Sequence, residues 1–260
     1  MINKIEKALA NLRKKKPLIL CLTNFVTQDF VVNSLLSLGA VPIMSICEDE
    51  IEELMRIASS VYINIGTLDN NFISLAKQAI QFAKKNNKPI VFDPVGAGAT
   101  NIRTQTAQYI LPFSSIIRGN ASEIMALGDR AFTTHGVEAT HTTDDAKEIA
   151  KLLASENNMS VIVSGPVDFI TNGNKLAQVA FGSPLMQLVT GMGCSMTAVI
   201  AAFKAIIQDP FEAGSMAAYY FALCGEAASK NHKSPGTFKI AFLDQLHIPD
   251  FAFMREIYDQ

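Results

Sequence analysis

The feature that most restricts the fold of this chain is a rhythm in its apolar residues. Between residues 17 and 123, short aliphatic runs at Leu18–Leu22, Val41–Met44, 61–65, 89–92 and 115–117 alternate with longer segments. In those segments, at 30–38, 49–58, 73–84 and 104–110, apolar residues recur every three or four positions. Short runs of that kind make strands and the longer period makes helices, so the pattern predicts βαβ units. Several of the strands are apolar throughout, as in a parallel sheet covered by helices on both faces.

The second half starts the same way and then changes. Residues 159–163 form another apolar run, and residues 167–171 and 175–180 flank Asn172-Gly173, a pair that favours a hairpin, so the sheet is expected to gain an antiparallel edge. From Cys194 onward the pattern is helical over 196–207, Pro210–Asn231 and 235–258, with Pro249 interrupting the last segment. No compositional shift marks a linker and no segment repeats, which predicts one domain over residues 1–260.

Composition narrows the function classes. A chain of 260 residues, 49% of them hydrophobic, is long enough to bury about three quarters of its unfolded surface and needs no disulfide or structural metal for its core. The net charge is −2 with both signs interspersed, which leaves no basic face to follow a nucleic acid. Apolar stretches such as residues 197–203, which stop at Lys204, fall far short of the ~20 residues of a bilayer span, so no membrane association is expected. Residues 1–16 read as an amphipathic helix ending in Arg13-Lys14-Lys15-Lys16 and lack the features of a secretory signal, so a cytoplasmic location is expected. Cys21, Cys47, Cys194 and Cys224 form no C-x-x-C pair, and His135, His141, His232 and His247 show no ligand spacing. Neither a disulfide framework nor a zinc site is expected.

Ligands of parallel α/β sheets bind beyond the carboxyl ends of the strands, so the polar segments that follow strands are the candidates. Asn24, in Thr23-Asn24, reads either as a turn residue or as a ligand contact, and Met44 either as core or as a pocket wall. Asp93-Pro-Val-Gly-Ala-Gly98 places an acid at a strand end before a glycine loop, without the glycine spacing of a dinucleotide or P-loop fingerprint. In Arg118-Gly-Asn-Ala-Ser-Glu123, Asn120 and Glu123 fit a capping box, which leaves Glu123 open as helix start or functional acid. Arg118, a cation at the end of a buried strand, wants an anion. Ser164 is either a turn residue or a nucleotide contact. The strongest local signal is Thr190-Gly191-Met192-Gly193-Cys194-Ser195, directly before an apolar helix. Its free N–H groups and helix dipole would make an anion hole, and the first-turn position of Cys194 is expected to lower the thiol's pKa. A small buried residue chosen for fit is the other reading of Cys194.

The ordered set Thr23-Asn24, Val41-Pro-Ile-Met44, Asn64-Ile-Gly-Thr67, Asp93-Pro-Val-Gly-Ala-Gly98, Arg118-Gly-Asn-Ala-Ser-Glu-Ile-Met125, Ser164-Gly-Pro-Val-Asp168 and Gly191-Met-Gly-Cys194 resembles the hydroxyethylthiazole kinase family, thiamine-salvage enzymes of the ribokinase-like superfamily. The likeness runs in order over about residues 18–238. It implies an α/β ribokinase-like fold, with a mostly parallel sheet, helices on both faces and an antiparallel edge hairpin. It also implies ATP-dependent phosphorylation of 4-methyl-5-(2-hydroxyethyl)thiazole, with Mg²⁺, in a homotrimer whose active sites lie between subunits.

Carried over by motif, Met44 and Gly191 would contact the thiazole and Asn24 would hold its hydroxyl. Arg118, Ser164 and Gly193 would bind ATP, and Asp93 and Glu123 would organise Mg²⁺, partly through water. Cys194 would occupy the catalytic position where related sugar kinases place an aspartate base. Two residues depart from the usual pattern: Met192 stands where the family has Thr, and Ser164 where it has Thr before Gly-x-Val-Asp.

Three other readings compete with this one. Hydroxymethylpyrimidine and pyridoxal kinases are the nearest, but Cys194 in place of aspartate and the apolar setting of Met44 favour the thiazole. A non-catalytic thiazole or nucleotide sensor is suggested by Met192, yet it would not require Asp93, Arg118, Glu123 and Cys194 together. A nicotinamide-dependent oxidoreductase would share the α/β rhythm but needs the missing glycine fingerprint.

Overall fold

The computed structural model describes residues 1–128 and 143–259; His135 and His141 lie outside them. The first half runs α1 (Ile2–Lys15), β1 (Leu18–Leu22), α2 (Gln28–Leu38), β2 (Val41–Met44), α3 (Ile51–Ile57), β3 (Ser60–Asn64), α4 (Asn70–Lys85), β4 (Ile90–Asp93), α5 (Asn101–Ile110), β5 (Ile116–Asn120) and α6 (Ala121–Gly128). The second runs α7 (Thr143–Asn157), β6 (Ser160–Ser164), β7 (Asp168–Thr171), β8 (Leu176–Val179), α8 (Met192–Lys204), α9 (Pro210–Asn231), α10 (Pro235–His247) and α11 (Phe251–Tyr258). No helix among the described residues is long and apolar enough to cross a membrane.

The strands form one eight-stranded sheet in the order β2-β1-β3-β4-β5-β6-β7-β8. Strands β1 to β6 are parallel, and β7 and β8 add the expected antiparallel edge. Asn172 builds the hairpin turn: its Oδ1 accepts from the N–H groups of Asn174 at 3.1 Å and Lys175 at 2.8 Å, and Gly173 takes a φ of 91°.

Alternation along each strand divides the core in two. Ile19, Cys21, Tyr62, Val91, Ile116 and Ile162 face the layer of α1, α2 and α8 to α11. Leu20, Val61, Ile63, Phe92, Ile117 and Val161 face the layer of α3 to α7. Among the boundaries that move, two bear on the site. Strand β5 does not stop at residue 117 but runs to Asn120, because Arg118, Gly119 and Asn120 stay in register with Ile162, Val163 and Ser164. Helix α8 starts at Met192 rather than 196, since Gly191 at φ 92° caps it and Ser195 N–H already donates to Gly191 O at 2.8 Å. Both shifts place the candidate residues on rigid elements.

Residues of α1, α2 and α10 meet at one cation. Arg13 donates from Nε to Leu38 O at 3.3 Å and from Nη2 to Leu246 O at 3.2 Å and to His247 O, the last carbonyls of α2 and α10. A guanidinium there satisfies orphan carbonyls and opposes two negative helix ends. Gly39 makes the approach possible: its φ is 102°, and a Cβ would lie 2.7 Å from Arg13 Cγ. Gly39→Ala is therefore expected to destabilise the protein by at least about 1–2 kcal/mol, the strain of a left-handed residue alone. A lower midpoint in urea unfolding checks this, and an unchanged midpoint contradicts it.

Candidate active site

The chain passes from β1 outward to β2 and then back across to β3, so strand order reverses beside β1, where parallel α/β sheets bind ligands beyond the carboxyl ends of their strands. Strands β3 and β4 end there with Asn64 and Asp93 as register partners. Both are fully buried, and with Asn24 and Thr197 they form a continuous polar line. Asn24 Nδ2 donates to Asn64 Oδ1 at 3.0 Å and to Cys194 Sγ at 3.4 Å. Asn64 Nδ2 donates to Asp93 Oδ2 at 3.0 Å and to Tyr62 Oη at 2.9 Å. Thr197 Oγ1, one turn along α8 from Gly193, donates to the same Asp93 oxygen at 2.9 Å.

Asp93 Oδ1 is buried without a partner. Burial pushes the carboxyl of Asp93 up to about 7, against the pull of Arg118 and with the help of Glu123. Glu123 is also pushed up by burial, opposed by the backbone N–H groups it accepts. Its Oε1 takes Gly96 N–H at 2.9 Å and its Oε2 takes Asn120 N–H at 2.8 Å, while Asn120 Oδ1 takes Glu123 N–H at 2.9 Å. The capping box exists, and the same carboxylate anchors the glycine loop after β4. The two readings of Glu123 are therefore compatible: a cap that also sets an acid close to Asp93.

The thiol corrects an expectation. A first-turn position was expected to lower the pKa of Cys194, but burial and then the charge of Asp93 push it above the ordinary thiol value. Burial of the sulfur and the charge of Asp93 outweigh the helix dipole there.

Beside this line lies a cavity of about 470 Å³ whose walls include Arg118, Ser164, Asp168, Phe181, Met192 and Gly193. Arg118 packs against the amino end of α8 so closely that a Cβ on Gly193 would lie 2.5 Å from its Nη1. Its Nε is buried without an acceptor, and among the described residues no carboxylate pairs with it. A cation and a positive helix end thus share one wall of the cavity, an arrangement that favours an anion between them. Ser164 Oγ donates to Gly119 O at 3.1 Å on the adjoining strand. Asp168 Oδ1 accepts Gly165 N–H at 3.0 Å, and burial raises its carboxyl to about 6.

Of the nine residues singled out from sequence, Arg118, Ser164 and Gly193 line the cavity. Asn24 and Asp93 belong to the polar line with Cys194, and Glu123 acts on Asp93 electrostatically. Gly191 lies against Thr27, 3.0 Å from where its Cβ would be, and Thr27 in turn donates from N–H and Oγ1 to Asn24 Oδ1. Met44 ends the outer strand β2 beside Cys21 of β1, half-buried, its sulfur accepting from Gln28 Nε2 at 3.0 Å. Residues Asn64, Tyr62, Thr197 and Asp168 were given no role from sequence. Polar side chains ending β3 and interrupting the apolar helix α8 were the available signal.

Residues 9–250 match the model of the hydroxyethylthiazole kinase family. A hydroxyethylthiazole kinase of Chlamydia caviae is 49% identical over the full length of both chains. A solved hydroxyethylthiazole kinase of Pyrococcus horikoshii superposes with a TM-score of 0.87 at 37% identity, covering 95% of this chain and 93% of that one. A ribokinase-like superfamily protein of Enterococcus faecalis shares the fold at 13% identity, with a TM-score of 0.66 over 92% and 87% of the two chains. With the anion wall, the strand-end acids and the sulfur all falling inside the matched region, the chain belongs to the hydroxyethylthiazole kinase family.

Proposed function

We propose that the chain transfers the γ-phosphoryl group of ATP to the hydroxyl of 4-methyl-5-(2-hydroxyethyl)thiazole, with the residues above in the following roles. The observation that carries this assignment is Arg118 packed against the start of α8, its Nε buried without an acceptor and, among the described residues, no carboxylate in ion-pair contact with it. Phosphoryl transfer asks a protein mainly to place two reactants in line and to stabilise charge on the moving group. The guanidinium and the N–H groups at the start of α8 do the second task. Asn24, Gly191 and Met44 hold the thiazole alcohol, and Ser164 and Gly193 hold the nucleotide.

The unpartnered Asp93 Oδ1 and the neighbouring Glu123 fit a divalent cation, because each raised carboxyl would be drawn back to its ionised form by a positive neighbour. Mg²⁺ bound there would supply further positive charge to the phosphates. Cys194 accepts the alcohol proton late, when the oxygen has become acidic through bond formation. Its Sγ already receives a hydrogen bond from Asn24, which favours the thiolate at that moment.

Several broader readings go with this one. A homotrimer with sites between subunits is supported by Phe25, Val26 and Ile46, which follow β1 and β2 and are 64, 72 and 78% exposed, apolar surface that a neighbouring subunit would cover. The single sheet supports one kinase domain over residues 1–260. Four free cysteines and the use of ATP suit the cytoplasm.

Gly193→Ala is expected to lower kcat/KM about 10²-fold in a product-detecting assay with ATP, Mg²⁺ and the thiazole alcohol, because the new methyl displaces the guanidinium from the helix end. Wild-type kinetics in that variant would refute the anion wall. Cys194→Ala is expected to lose about 10²-fold or more in kcat. The wild-type rate should climb as pH rises above neutrality, since the accepting form is the thiolate and its pKa lies above the ordinary value. Cys194→Ala should lose that climb, and Cys194→Asp should keep activity at neutral pH. If the Asp variant falls to the level of the Ala variant, Cys194 is not the proton acceptor.

A further inference from the structure

Asn64 is fully buried and touches neither the cavity nor solvent, yet every polar atom of its side chain is used. The direction of its amide is fixed. The backbone N–H of Gly66 lies 2.9 Å from Oδ1 and can only donate, so that atom is the oxygen. The nitrogen therefore faces Asp93 Oδ2, at 3.0 Å, and the hydroxyl of Tyr62.

The same logic runs on to Asn24. Thr27 N–H donates to Asn24 Oδ1 at 3.0 Å, which leaves Nδ2 to face Asn64 Oδ1 and Cys194 Sγ. Gly66 closes the arrangement, since a Cβ there would lie 3.0 Å from both Asn64 Oδ1 and Asn24 Cβ. One side chain thus locks the residue placed on the alcohol to the residue placed beside the phosphates.

We infer that Asn64 is a positioning residue that holds the alcohol-binding end of the site, Asn24 and Cys194, in fixed register with the phosphate-binding end at Asp93. This rests on the transfer reaction proposed above and adds to it how the two reactants are kept in line. In-line transfer is sensitive to such register, because a displacement of about 1 Å can slow a reaction about 10²-fold while leaving both ligands bound.

The test compares wild type with Asn64→Asp and Asn64→Ala, counting ADP and phosphorylated thiazole in the same reaction. Asn64→Asp keeps the shape and the acceptor for Gly66 but loses the donors to Asp93 and Tyr62, so it carries the test should Asn64→Ala not fold. The expected result is a kcat lowered about 10²-fold, little change in KM for either substrate, and more than one ADP released per thiazole phosphate as water replaces the misplaced alcohol. A purely structural role would lower both products together and keep their ratio at one. That result, or a loss confined to KM, overturns the inference. If wild type itself forms no thiazole phosphate, the reading beneath it fails; if wild type turns over and the variants match it, the inference alone fails.

Discussion

A guanidinium pressed against the amino end of a helix is the constraint on which this site depends. Arg118 and the start of α8 are both electropositive, and in isolation they repel. They meet only because residue 193 is glycine and because β5 continues for three residues past its apolar run, carrying Arg118 into register with Ile162 on β6. An anion between them converts the repulsion into two attractions. The parallel sheet supplies the frame by ending β3, β4, β5 and β6 on one rim.

The acids lie on the other side of that balance. Asp93 and Glu123 are buried near one another, and burial raises the pKa of each, so their ionised forms call for a positive neighbour. Hydrogen bonds from Asn64 and Thr197 to one Asp93 oxygen leave the other oxygen free, and the backbone N–H groups of Gly96, in the loop after β4, and Asn120, at the end of β5, fix Glu123. A triphosphate with a divalent cation is a ligand that answers both halves at once, which ties the electrostatics to the chemistry of the family.

Much of the fold was legible because it follows from periodicity. Fully apolar runs separated by helical spacing have one economical arrangement, and Asn172-Gly173 has one preferred turn. The boundaries that moved did so for reasons beyond period. Residues 118–120 are polar and glycine-bearing, yet pairing with β6 keeps them extended, and Gly191 starts α8 by adopting a backbone that its neighbours could not. Arg118, Gly193, Asp93 and Cys194 were visible as polar or small residues at strand and helix ends. Asn64 and Thr197 carry a similar polar signal that local sequence cannot interpret, since their importance lies in partners 29 and 104 residues away. The direction of the thiol's shift was missed for the same reason: local helix position was weighed, whereas burial and the distant Asp93 decide it.

The most direct measurement is a crystal structure of the protein with a non-hydrolysable ATP analogue, Mg²⁺ and the thiazole alcohol. The account places the terminal phosphorus between the Arg118 guanidinium and the N–H groups at the start of α8, with the alcohol oxygen between that phosphorus and Cys194 Sγ. A triphosphate whose terminal group lies away from Arg118, or an alcohol whose hydroxyl points away from the sulfur, would contradict it.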